Sequence, residues 1–150
     1  MTTSPTGKPL RCVLDASIAL KWVLDEAGSD MARELLGRLP VHDTRCHVPS
    51  FFFIELANVL WKNTRRRVIS ANEAQDALAL LRALPLIVHP VEALAGAALD
   101  VSISHGVAAY DAAYVALAAS TGLPFVTADE KLWCALHNVD KVVLLGDETL

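Results

Sequence analysis

The chain has no C-x-x-C pair, no low-complexity tract, no internal repeat and no excess of positive charge. Its three cysteines, Cys12, Cys46 and Cys134, are far apart and odd in number, so they cannot close into a complete internal disulfide set. That excludes a disulfide scaffold and leads us to expect a reducing, cytoplasmic setting. The most apolar stretch, residues 107–126, is interrupted by Asp111, Gly122 and Pro124. It falls short of the ~20 uninterrupted apolar residues a membrane span needs, so no membrane partner is expected. The formal net charge of −4 argues against a nucleic-acid coat with an overall basic surface. It leaves room for a negative site beside a local basic patch. Met1 to Pro9 is polar and lacks the cationic start and apolar run of a signal peptide, so residues 1–9 are expected to be a flexible tail ahead of one domain at 10–150.

What is present is apolar surface: 53% of residues are hydrophobic and 20% charged, a composition that folds. Arg11 to Leu14 reads as a strand ending in Asp15, and Ser17 to Leu24 as a helix. A second helix is predicted at Ser29 to Leu39, a strand at Cys46 to Pro49, and a long helix from Ser50 toward Arg67. Ser70 and Glu73 make a capping-box signature for a helix ending near Leu84 and Pro85. Leu86 to Val88 is a third strand, followed by helices at about Val91 to Ser104 and Ala109 to Thr121, with Gly122 as the stop signal. Phe125-Val126, then Asp129 to His137, then Val142 to Leu145 read as strand, short helix and strand. The alternation predicts an α/β fold with an open, mainly parallel sheet and a ligand site at the carboxyl ends of its strands.

Four acids could meet at such a site. Asp15 ends the first strand, and Asp129 follows the fourth by two residues. Asp111 lies in the first turn of a helix that is otherwise almost entirely apolar, from Ala112 to Leu117, and a carboxylate in such packing needs a partner. Glu55 stands between Phe51-Phe52-Phe53-Ile54 and Leu56-Ala57, at least a turn inside a helix that begins at Ser50, with Asn58 three residues on along one face. Each acid also has a bland reading. Asp15, Asp111 and Asp129 are well placed to cap or complement a helix N-terminus, Thr127 and Glu130 fit a capping box, and the Glu55–Asn58 face is then simply solvated. If the acids converge, like charges raise one another's pKa unless a cation sits among them, and an all-oxygen set suits Mg²⁺ or Mn²⁺. His42, Cys46 and His47 lie close in sequence, but their spacing matches no standard zinc pattern.

Four blocks of residues then carry a family resemblance. They are Val13-Leu14-Asp15-Ala16-Ser17 with Leu20-Lys21-Trp22; Pro49 through Glu55-Leu56-Ala57-Asn58; Tyr110-Asp111-Ala112-Ala113-Tyr114 with Leu117-Ala118; and Val126-Thr127-Ala128-Asp129 with Lys131-Leu132. In this order they resemble PIN-domain ribonucleases, in particular the VapC-type toxins of type II toxin–antitoxin pairs. The resemblance implies a three-layer α/β/α PIN-like fold and metal-dependent cleavage of RNA phosphodiester bonds. It places an acidic quartet on Asp15, Glu55, Asp111 and Asp129, with Ser17 and Thr127 as hydroxyl supports and Asn58 beside them. It also implies an RNA substrate, a VapB-like antitoxin that covers the acidic groove, and a homodimer.

Lys62, Arg65, Arg66 and Arg67 form the densest basic cluster and are candidates for the RNA backbone, although cations also complement the end of a helix. Trp22 is expected to be core or interface packing ahead of base stacking. Other readings of the chain are a PIN nuclease of RNA processing, a non-catalytic PIN-like RNA- or protein-binding module, and a phospho-acceptor domain, which leaves Glu55 without a role.

Overall fold

A computed structural model describes residues 7–150. The expected tail therefore lies mostly outside the described residues; of its last part, the carbonyls of Lys8 and Pro9 accept from the Arg38 guanidinium.

The chain runs β1 (Arg11–Leu14), α1 (Ala16–Val23), α2 (Ser29–Arg38), β2 (Arg45–Pro49), α3 (Phe52–Arg65), α4 (Ala71–Arg82) and β3 (Leu86–His89). A 3₁₀ turn (Glu92–Leu94) leads into α5 (Ala95–His105), α6 (Ala109–Thr121), β4 (Phe125–Thr127), α7 (Glu130–Ala135) and β5 (Val142–Leu144). The five strands form one sheet in the order β3-β2-β1-β4-β5, and every pairing is parallel. Parallel neighbours need crossovers, and the helices that supply them cover both faces, giving three layers, α/β/α.

The pattern of burial follows from that layering. β1 is central, and Cys12, Val13 and Leu14 are fully buried, as a strand covered on both faces requires. β3 is an edge strand with Ile87 and Val88 exposed. α6 is buried from Ala112 to Leu117 without a polar stripe, the mark of a helix packed on several sides. Tyr114 of α6 stacks on Phe125 of β4, with ring centroids 5.3 Å apart. No helix among the described residues is long and apolar enough to cross a membrane.

Boundaries moved where tertiary bonds intervene. α3 begins at Phe52, because Ser50 donates its N–H to His89 and so prolongs the β2–β3 pairing. The helix predicted from Val91 starts instead as the separate 3₁₀ turn. The Ser70–Glu73 capping box forms in both directions, and Gly122 ends α6 at φ 69°, a left-handed conformation that glycine adopts at little cost.

Candidate active site

The strand order contains a switch point. From β1 the chain winds outward to β2 and β3, then crosses back to place β4 and β5 on the other side of β1. The crevice at the carboxyl ends of β1 and β4 is therefore where an open α/β sheet binds its ligand. Asp15 follows β1 there, and Thr127 ends β4 beside it.

Asp15 occupies the N-cap position of α1 but makes no side-chain cap bond, so the helix-cap reading fails for it. Its Oδ2 instead accepts from Ser17 Oγ at 2.7 Å and from Thr127 Oγ1 at 2.7 Å, while the residue is only 5% exposed. Ser17 Oγ also accepts from the Ala128 N–H, and Thr127 Oγ1 from the Asp129 N–H. Two hydroxyls thus tie the end of β1 to the turn after β4, and the predicted Thr127–Glu130 capping box is absent because Thr127 is occupied in this way. The cap of α7 is Asp129, whose Oδ1 accepts from the Leu132 N–H at 3.0 Å. Its bland reading holds, and the residue is exposed enough to serve a second purpose.

Glu55 lies in the first turn of α3, not a turn inside it, because the helix starts later than predicted. It is half-buried, and the buried phenol of Tyr114 donates to its Oε1 at 2.7 Å. Tyr114 is the contributor that sequence reasoning missed: its ring served as core, and nothing in the spacing showed where its hydroxyl would go. Asp111, half-buried, lies in the first turn of α6. Asn58 is exposed and, among the described residues, makes no side-chain hydrogen bond.

The four acids share one electrostatic neighbourhood. Burial, then the charges of Asp15 and Asp111, lift Glu55 to about 7 against the bond from Tyr114. Burial, then Asp15 and Asp129, lift Asp111 to about 6. Burial also raises Asp15, with Asp129 adding to the rise and the Thr127 and Ser17 hydroxyls opposing it. Burial above all holds the Tyr114 phenol protonated. A hard divalent cation is the partner such a set fits, since it relieves the repulsion and accepts carboxylate oxygens. Among the described residues no three acids, histidines or cysteines converge on a single ion position, so the four carboxylates are electrostatic neighbours that do not close on one point.

Other candidates lie outside this acidic neighbourhood. His42 is exposed and pairs with Asp43, Cys46 is buried against Cys12, and His47 stacks on His89, so the zinc trio is not assembled. Lys21 Nζ donates to the Ala27 carbonyl and to Glu26, and Trp22 is buried with its Nε1 donating to the Ala32 carbonyl. A cavity of about 450 Å³ lined by Arg11, Arg45 and His47 opens toward the amino ends of β1 and β2, at the other end of the sheet from the acids. Lys62, Arg65 and Arg66 are exposed on α3 and its C-cap, and Arg67 lies beyond the helix at φ 59°. At 3.6 residues per turn, Lys62 and Arg66 fall on the same face of α3 as Glu55, about 10 and 16 Å along the axis.

Comparison with known proteins agrees with this architecture. The family described as PIN domain matches residues 12–140. Ribonuclease VapC3 of Pyrobaculum aerophilum is 32% identical over 125 residues, covering 82% of this chain and 92% of that protein. Among solved structures, VapC20 of Mycobacterium tuberculosis, described as a sarcin-ricin loop cleaving toxin, superposes with a TM-score of 0.64 at 17% identity over 83% of this chain and 94% of that one. VapBC2 of Rickettsia felis, bound to a DNA fragment from its promoter, superposes with a TM-score of 0.62 at 13% identity, over 90% and 97%. At these identities the structural likeness speaks for the fold.

Proposed function

The chain belongs to the PIN domain family, among its VapC-type members, and from that premise we propose that it is a metal-dependent endoribonuclease, the toxin of a toxin–antitoxin pair, cutting RNA in the basin of Asp15, Glu55, Asp111 and Asp129. One observation carries this reading. A buried carboxylate at the switch point, Asp15, is held by two hydroxyl donors while three further acids lie within its electrostatic reach. A purely structural site has no need of that arrangement, which raises the cost of every charge in it.

In this reading Asp15, Asp111 and Asp129 hold Mg²⁺ or Mn²⁺, ions suited to an all-oxygen ligand set. Held there, such an ion would supply a water nucleophile at neutral pH and charge neutralisation at the leaving oxygen. Ser17 and Thr127 fix the rotamer of Asp15 by donating to one of its oxygens. Tyr114 fixes Glu55 Oε1, leaving the other oxygen to orient the attacking water. Lys62, Arg65, Arg66 and Arg67 take backbone phosphates beyond the basin.

The names of relatives support the partners of this proposal: a ribonuclease at 32% identity, and a fold neighbour solved as a VapBC pair. On that footing we assign this chain a VapB-like antitoxin; a homodimeric state and a cytoplasmic setting are proposed from the sequence alone, the first from the family resemblance and the second from the cysteines. An inhibitor arginine entering the basin pairs with the carboxylates and takes the ion's place.

The test is incubation of inhibitor-free protein with total RNA and Mg²⁺ or Mn²⁺, beside an EDTA control and an Asp111→Asn protein. Discrete fragments that vanish in both controls are expected. Full cleavage by Asp111→Asn would remove the basin from contention.

A further inference from the structure

Trp61 is unlike the other large exposed side chains of this chain. It is 50% exposed on α3, and one turn on the Arg65 guanidinium lies over its ring, 5.1 Å from the centroid. Trp61, Lys62, Arg65 and Arg66 together line an open surface depression of about 340 Å³. The exposed aliphatic side chains Ile54, Val68 and Leu80 take no part in lining it.

The charge around this depression is one-sided. Between Glu55 and Glu73 the sequence holds Lys62, Arg65, Arg66 and Arg67 and no acid, although the whole chain carries −4. Among the described residues none of these cations has a carboxylate partner. The dipole at the end of α3 accounts for a cation in its last turn. It does not account for an arginine laid over an exposed indole, whereas the left-handed Arg67 is the ordinary close of the helix, with Arg67 N–H donating to the Thr64 carbonyl and Val68 N–H to the Asn63 carbonyl. An aromatic face among unpaired cations is the pattern that receives single-stranded nucleic acid, with bases stacking on the ring and phosphates on the charges. A protein partner of ordinary composition has no use for four uncompensated cations, which favours the polyanion.

Resting on the ribonuclease reading above, we propose that Trp61 and Arg65 form a nucleobase-stacking subsite: an unpaired base of the RNA occupies this depression against the indole, and Lys62 and Arg66 take the adjoining phosphates. Trp61 lies six residues beyond Glu55, about 9 Å along the helix axis. The same helix geometry turns Trp61 about 120° away from the face of Glu55, so the base stacks to the side of α3 while Lys62 and Arg66, on the face of Glu55, lead the phosphates toward the acids. A base buried in a duplex cannot enter such a subsite, so the device selects single-stranded or looped RNA and is tolerant of sequence.

The experiment measures binding of an unstructured fluorescent oligoribonucleotide, and of the same strand in a duplex, to full-length Asp111→Asn protein that leaves RNA uncut. Trp61→Ala in that background is expected to weaken single-strand binding about tenfold or more, and Trp61→Phe to retain most of it. Duplex binding should be unchanged by either. Lys62→Ala and Arg66→Ala should each flatten the salt dependence by about one phosphate contact, which Trp61→Ala should not. Unchanged single-strand affinity in Trp61→Ala would overturn the subsite, and the more clearly if that change shifted self-association instead, marking a protein-binding face. Failure of the underlying reading shows separately, as absence of metal-dependent RNA cleavage by the unaltered chain. Absence of any RNA binding by the Asp111→Asn parent would sink both.

Discussion

The basin at the carboxyl ends of β1 and β4 and the basic end of α3 are built on opposite terms. In the basin, carboxylates are drawn out of water and toward one another, and the protein compensates with Ser17, Thr127 and Tyr114. At the end of α3 the cations are exposed and cost the fold little. Folding therefore tolerates the second region at little cost and has to work against the first. A site that works against stability marks where selection has acted on chemistry; a surface that is neutral to stability can be tuned for binding without endangering the fold.

The largest expected break comes from the basin. Asp15→Asn and Asp129→Asn should each lower cleavage about a thousandfold or more, by loss of charge at the ion. Asp129 separates the two roles of one side chain: Asn keeps the cap on Leu132 and with it the stability, whereas Asp129→Ala should lose about 1 kcal/mol as well, measured by urea unfolding.

Thr127→Val comes next. It keeps the shape of a fully buried side chain but leaves Asp15 one donor short. Unfolding should show a loss of about 1–3 kcal/mol, and cleavage should fall about ten- to a hundredfold. Unchanged stability would mean that Asp15 is not held as described.

The third effect is smaller and of opposite sign. In the metal-free protein Glu55 sits near 7 and Asp111 near 6, both above their ordinary values. Between the unfolded and folded values the native state binds more protons, so these groups make stability fall as pH rises from about 4 to about 7. Glu55→Gln should therefore raise the melting temperature at pH 8 by about 2–4 °C, a modest gain because the group is partly screened, and leave it nearly unchanged at about pH 4, below the unfolded value. Mg²⁺ should stabilise the unaltered protein at pH 8 by mass action. The smallest effect belongs to the other region: Lys62→Ala and Arg66→Ala should leave unfolding within about 0.5 kcal/mol of the parent.

Most elements were legible because their signals are local. The Ser70–Glu73 box, the Gly122 stop and the β-branched runs each act within a few residues. The start of α3 was not, since Ser50 is drawn into pairing with His89, nearly forty positions away in sequence. The acids were legible as isolated oddities, each with a bland reading that sequence cannot dismiss: a helix cap or first-turn acid for Asp15, Asp111 and Asp129, a solvated face for Glu55. Coordinates separate them: Asp129 is a true cap and Asp15 is not. Tyr114 was invisible because a phenol in an apolar helix reads as core until its hydroxyl is seen on Glu55. Trp61 was passed over because the reading of α3 stopped at its charges.

The central claim is that Asp15, Asp111 and Asp129 hold one cation, with Glu55 beside it. Calorimetric titration of the full-length protein with Mn²⁺ at pH 6.5, in two buffers of different ionisation heat, tests it most directly. Saturable binding with release of protons from the raised carboxylates, abolished in Asp15→Asn and in Asp111→Asn, is the predicted result. Mn²⁺ binding that persists undiminished in both variants, or the absence of binding by the unaltered chain, would contradict the account.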